Sequence, residues 1–387
     1  MIQHIRFTIF TFFLCVFSVS IIFASDDVPP GVPVDVSSFD EQELIPIPDV
    51  IHEEEKVKDI NYVIFSHIAD SHDWHLLDYK DEDGVEHPVS IPLPVILVNT
   101  NPFSIVTFWS SKFHHGEDPV TKGGYTYVLK GGKIYYADDT DGTLTYDSQK
   151  NILNAKPFDL SITKNVVSML VVAIIMIFVF TACAKSYKSR PNMAPKGLQA
   201  IMEPIILYVR NDIAIPNIGK EKHEKFLPYL LSVFFFIWFL NMLGLIPVFP
   251  GGANATGNVS ITLTLALFTL FVTNIYGNKN YWRHIFAMPG IPFWLLPIMI
   301  VVEIIGIFTK PFALTIRLFG NITAGHIIVL SLIGLIFIFE SVYIAPVSIL
   351  FVLFMLVVKV FVALLQAFIF TMLSALFIGM AQEEGHH

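Results

Sequence analysis

From Phe293 to Gly379 the chain is apolar almost without interruption. No water-exposed surface tolerates such a run. Where lipid surrounds it, each backbone N–H and C=O must be satisfied inside its own segment, which leaves helices as the available form. Inside this run the stretch TKPFALTIRLFGNITAGHIIVLSLIGLIF (Thr309–Phe337) carries Arg317. An arginine does not shed its proton in a protein. A charged side chain at the centre of a membrane helix costs about +2.5 to +3.5 kcal/mol on insertion scales. Any fold open to this chain must therefore give one permanent charge a reason to stay.

The run divides at the group from Glu340 to Pro346, and Pro311 interrupts its first part. The pattern predicts two long helices, roughly 293–338 and 345–380. Both exceed the ~20 residues of a perpendicular span, so both are expected to tilt or to lie partly in the membrane plane. Three earlier spans precede them: 166–184, 226–249 and 258–276. Lys185, Lys188, Arg190, Lys196, Arg210, Lys220, Lys222 and Lys225 lie between the first two. Excess Lys/Arg marks the cytoplasmic side, so five passes leave the C-terminus inside. Within that loop GLQAIMEPIILYVRNDIA has apolar residues at helical spacing and suits a helix on the membrane surface.

The front of the chain differs. Between Asp26 and Leu160 there are 25 Asp/Glu against 9 Lys/Arg, while the remainder carries 15 Lys/Arg against 8 Asp/Glu. Nothing is basic enough for nucleic acid. Two cysteines, neither in the acidic part, exclude a disulfide framework there. Residues 1–25 have a basic residue, an apolar core and small residues before Asp26, the layout of a secretory signal; an uncleaved anchor is the rival reading. Residues 26–50 read as a linker. In the acidic portion IPLPVILVNTNPFSIVTFW holds two β-rich runs, and YTYVLKGGKIYYAD is a hairpin signal around Gly131-Gly132. The expected division is a signal at 1–25, an acidic extracytoplasmic domain at 26–160 and a membrane domain at 161–387.

Charges within the spans are few and ordered. Glu303, Lys310 and Arg317 are seven apart and Asn321 follows four later, so they share one helical stripe. His326 falls off that stripe. Lys359 and Gln366 are again seven apart. Snorkelling or structural ion pairing would be the plain explanation, and it suits Glu340 at a helix end. It does not suit Arg317, whose neighbours are apolar or polar and uncharged. A polar lining beside such charges suits a water-filled path.

The segments KPFALTIRLFGNITAGHII and LLQAFIFTMLSALFIGMAQEE strongly resemble subunit a of the F-type ATP synthase membrane sector. NMLGLIPVFPGGANATGNVSITLTLAL is similar to the same family's second and third membrane helices. The resemblance implies a mainly α membrane protein with about five membrane helices. Two of these are long, tilted and packed against a c-ring, and an N-terminal extracytoplasmic domain has β-structure. It implies a stator beside rotating c subunits, attached to the b subunit stator stalk, set in membrane lipids and coupling proton flow through two half-channels to ATP synthesis. No cofactor, metal or catalytic residue is implied. Arg317 matches the family's arginine, which lets a ring carboxylate ionise in the membrane and blocks a direct leak. Asn321 matches the asparagine one turn on, and Gln366 the glutamine that faces the arginine. Glu303 matches an acid of the inlet half-channel, open to the outside. His326 and Lys359 occupy a pair of positions where relatives carry Glu or His; lysine is a departure. Asn258 stands where some relatives have an acid.

Two other classes are weighed. A secondary transporter or channel would show related halves, and none relate 166–276 to 293–380. A membrane-anchored metal receptor would rest on HIADSHDWH and HHGED, whose residue types can bind metals; a structural or docking role fits them better.

Overall fold

A computed structural model of the chain describes residues 70–80, 86–147, 151–191, 193–246, 251–288, 291–339 and 343–383. The signal and linker readings fall outside these residues.

The β-rich region starts with a hairpin of β1 (Asp73–Lys80) and β2 (Glu86–Pro92). The two β-rich runs become β3 (Pro94–Thr100) and β4 (Phe103–Trp109), antiparallel from Pro94↔Trp109 to Thr100↔Phe103. A short strand β8 (Phe158–Asp159) adds to the other edge of β3. The hairpin expected around Gly131-Gly132 forms between β6 (Tyr125–Lys130) and β7 (Lys133–Tyr136), with β5 (Val120–Lys122) beside β6. Both glycines have positive φ, which the two-residue turn requires. Val95, Leu97, Val106, Phe108, Phe113 and Tyr127 fill the core between the sheets. The histidine-rich runs are spent on structure. Buried His72 pairs with Asp159 at 2.7 Å, His115 with Asp73 at 2.9 Å, and His114 with Asp118. Among the described residues no group of three or more His, Cys, Asp or Glu is placed to hold a metal.

The helical part begins with α1 (Lys164–Ser189). Its first N–H groups are satisfied by the β-rich region: Lys164 N donates to Ser71 O, and Asn165 N to Asp70 Oδ1 at 3.1 Å. Thr163 Oγ1 also donates to Asp70 Oδ2, so Asp70 caps the helix from ninety-odd residues upstream. The expected surface helix is α2 (Leu198–Tyr208), running through a π-turn (Val209–Ala214) into α3 (Ile215–Ile218). Its apolar stripe (Met202, Val209, Ile213, Ile218) packs on the bundle. Helices α4 (His223–Gly244) and α5 (Val259–Ile275) follow. Asn258 has a structural task, capping α5 by accepting from Ser260 N. A short helix absent from the sequence reading, α6 (Lys279–Phe286), bends away from α5 by 101°. The two long helices are α7 (Leu296–Ile338) and α8 (Ala345–Gln382), close to the expected limits. Helix α7 passes through Pro311 unbroken, although the ring leaves the Ile307 carbonyl without its usual backbone donor; Thr315 Oγ1 donates to Pro311 O.

Among the described residues four helices are long and apolar enough to cross a membrane, and α5 with α6 makes a bent fifth. At 1.5 Å per residue α7 is about 65 Å long and α8 about 57 Å, near twice a ~30 Å hydrocarbon layer. The core is centred on α4, whose Phe234, Phe235 and Phe236 are fully buried. Helix α3 comes so close to α8 that a Cβ on Gly379 would meet Asn217 O at 1.9 Å.

Burial alone would lower the basicity of His72, but its bond and attraction to the Asp159 carboxylate outweigh that and raise it above the ordinary 6.5. Burial likewise opposes ionisation of Asp159, and His72 prevails, holding it below 3.8. The histidine's share of stability is present below pH 6.5 and is lost as pH rises through its raised value. The aspartate's share is present above pH 3.8 and is lost as pH falls through its lowered value. Hydrogen-exchange protection of β3 and β8, corrected for intrinsic rates, should therefore peak between these limits in the whole protein. In His72→Gln the alkaline decline should vanish.

Candidate functional site

Position along the helices sorts the candidate residues into three groups. Helix α1 starts at the β-rich region and touches the turn Ala255–Gly257, which joins the end of α4 to the start of α5; Lys164 at its start is close enough to His326 to act on it. The opposite end gathers the starts of α4 and α6 and the end of α8. There Lys222 Nζ and Asn278 Nδ2 both donate to Gln382 O, and Asn278 N to Ala381 O. Lys225 Nζ lies 4.0 Å from the Tyr276 ring centre at this end.

The first group lies towards the β-rich end. A cavity of about 190 Å³ separates α4, α7, α8 and the turn after α4. His326 and Lys359 both line it, as does Asn321. So do Asn241, Asn254 and Thr256, which sequence reasoning did not single out. Thr256 Oγ1 donates to Asn241 Oδ1 at 2.6 Å, leaving Asn241 Nδ2 buried and without a partner. Both side-chain polar atoms of Asn254 are buried and unpartnered as well. His326 Nδ1 lies 3.0 Å from Ile322 O on its own helix, and its ring also meets the Gly244 carbonyl. The stem of Lys359 crosses Gly325, where a Cβ would sit 3.2 Å from Lys359 Cε.

The second group is at mid-helix. Leu314 and Leu318 are buried and hold α7 to the bundle, while Arg317 between them is exposed. Arg317 makes no hydrogen bond or ion pair with any described residue. One turn on, Asn321 Nδ2 donates to Oε1 of the buried Gln366 at 2.9 Å, tying α7 to α8. The glutamine's partner is thus the asparagine. Ile316, Phe312, Phe361, Leu364 and Leu365 are exposed on these two helices. Only 6% of the apolar stretch of α7 and 11% of that of α8 is buried within the chain, against 72% for α4. An exposed apolar area of this extent marks contact with lipid or another chain.

The third group is at the far end. Glu303 does not join His326, as expected from the resemblance; it lies near the start of α7, 3.7 Å from His284 Nδ1 on α6. The two are nearly a whole span apart along one helix, so one cavity cannot hold both. Lys310, between Glu303 and Arg317, lies over the Phe377 ring at 5.4 Å.

Polar pairing within a helical membrane bundle, a cation unpaired among the described residues and a cavity lined by His326 and Lys359 suit an ion-conducting membrane subunit. The family described as ATP synthase A chain matches residues 166–379. A second family model, for a domain of unknown function, matches residues 63–160. Relatives named ATP synthase subunit a include one from Chlorobium phaeobacteroides (strain BS1), 52% identical over 237 residues, 59% of this chain and 68% of the relative. Another, from Prosthecochloris aestuarii, is 51% identical and covered to 71%; one from Myxococcus xanthus is 45% identical and covered to 75%. The chain belongs to the ATP synthase A chain family. It is a membrane protein that conducts protons as a stator subunit of an F-type ATP synthase.

Breaking the Asn321–Gln366 bond from the asparagine side leaves a buried acceptor unsatisfied, which costs about 1–3 kcal/mol. Asn321→Ala should lower the thermal stability of the assembled membrane sector by that order. Adding Gln366→Leu should recover part of the loss in a double-mutant cycle. Additive losses would show that the bond is not made.

Proposed function

We propose that Arg317 is the fixed cation past which the carboxylates of a c-ring turn, and that the exposed faces of α7 and α8 are the rotor-facing surface. The observation that carries this reading is Arg317 itself, uncompensated among the described residues on a largely uncovered helical face. A carboxylate in an apolar site has its pKa raised by up to 3–5 units. A guanidinium about 4 Å away offers about 4 kcal/mol at an effective dielectric of 20, or roughly 3 units in the other direction. The two effects nearly cancel, so the carboxylate gives up its proton beside the arginine and takes one before returning to lipid. A lysine could be discharged in the same place; an arginine cannot. Asn321 and Gln366 hold α7 and α8 in register at this point.

Orientation follows from the lysine-rich loop between α1 and α4, taken as cytoplasmic. The β-rich region and the cavity then face outside, and Glu303 with His284 faces the cytoplasm. On this reading His326, Lys359 and Asn321 line the inlet half-channel, and Glu303 belongs to the outlet rather than the inlet. The lengths of α7 and α8 require a strong tilt, which suits helices following a ring's curved flank. The chain then consists of a signal at 1–25, a periplasmic domain at 26–160 and a membrane domain at 161–387. It sits in a bacterial inner membrane with the b subunit stalk as its second partner.

Arg317→Ala should abolish proton-driven ATP synthesis in membrane vesicles while the complex still assembles, and Arg317→Lys should fail to restore it. Full synthesis in either variant overturns the assignment. Glu303→Gln and His326→Ala should each slow proton flux several-fold without stopping it; wild-type flux in both would put the paths elsewhere.

A further inference from the structure

We propose that the cavity between α4, α7 and α8 is a binding site for a small monovalent anion, chloride in particular, held by Lys359, Asn241 and Asn254. Three observations converge. The cavity lining contains a lysine and no carboxylate. Among the described residues Lys359 has no ion-pair partner. Two carboxamides that line the cavity, 5% and 3% exposed, have unpartnered N–H groups. Thr256 occupies the oxygen of Asn241, so that side chain is left with donors only.

Buried donors without acceptors are costly, as is an ammonium without a counter-charge. One small anion offsets both costs. The charges around the cavity favour it: His326 is held to backbone carbonyls, and the other group acting on it is Lys164, also a cation. Lys164 is itself offset by Asp70 and Asp73. The ~190 Å³ volume admits an ion with several waters, each taking ~30 Å³, and excludes a drug-sized organic anion, which needs 300 Å³ or more. Gly325 leaves the notch through which the lysine stem passes, and this fixes the ammonium over the cavity. The anion would replace the carboxylate that this cavity lacks, and on the proton-path reading above it would keep Lys359 from repelling incoming protons.

The test uses the whole purified complex at constant ionic strength. Chlorine NMR line broadening, competed by bromide, should show a component that Lys359→Gln removes. Asn254→Asp, nearly isosteric, should remove it too by setting a carboxylate beside the lysine. Equal broadening in wild type and both variants overturns the proposal. In proteoliposomes with the cavity facing the lumen, ATP-driven proton pumping should be several-fold faster with chloride than with gluconate inside, and Lys359→Glu should be indifferent to the anion. A chloride component that depends on Lys359, with anion-independent pumping, upholds the anion site and removes the cavity from the proton path. A missing component, together with inactive Arg317→Ala, overturns the anion site and leaves the stator reading standing.

Discussion

A guanidinium that cannot be neutralised, held where hydrocarbon would otherwise be, is the constraint to which the rest of this molecule answers. The charge costs several kcal/mol against lipid, so Arg317 is tolerable only where a partner charge or water meets it. Within the chain neither is supplied by a described side chain. The bundle is accordingly asymmetric. On one side α4 is sunk among neighbours, with three consecutive phenylalanines fully buried. On the other α7 and α8 turn nearly all of their apolar length outward. Leu314 and Leu318 anchor the turn that carries Arg317, and the Asn321–Gln366 bond locks it to α8. These contacts fix the stretch of helix from which Arg317 projects.

Separation of the two polar regions matters as much as the arginine. The cavity with His326 and Lys359 opens on one side of Arg317 along α7, and Glu303 with His284 lies on the other. A continuous wet path would dissipate a proton gradient. Between them on α7 only Pro311, Leu314, Thr315 and Leu318 are buried, and Thr315 is bonded to its own helix. The two polar regions are thus kept apart along one helix by the stretch that carries Arg317.

Much of this was legible in the sequence, for a definite reason. Long apolar runs bounded by Pro and charged residues leave few choices of element, so the limits of α7 and α8 fell within a few residues of expectation, and the hairpin at Gly131-Gly132 was set by its turn. Spacings of seven and then four put Glu303, Lys310, Arg317 and Asn321 on one stripe. What spacing along one helix does not carry is which other helix a residue meets. Asn241 is a single polar residue in apolar text and Asn254 one of several in a glycine-rich turn, and their sharing a cavity with Lys359 depends on that turn after α4. Glu303 was grouped with the inlet because resemblance supplies a role without a depth; it lies near the start of α7, beside α6 and away from the cavity that His326 lines. Helix α6 is eight residues long, shorter than the window in which helical periodicity is visible.

The junction between the β-rich region and α1 bears on the same electrostatics. Asp70 caps α1 and, with Asp73, offsets Lys164, a cation close enough to His326 to act on it. The acidic region therefore does more than hang outside the bundle. It lowers the positive charge at the cavity's end of α1, near His326 and Lys359. The two aspartates at the helix start supply negative charge near a cavity that has none in its own lining, and the β-rich region becomes part of that cavity's electrostatic environment.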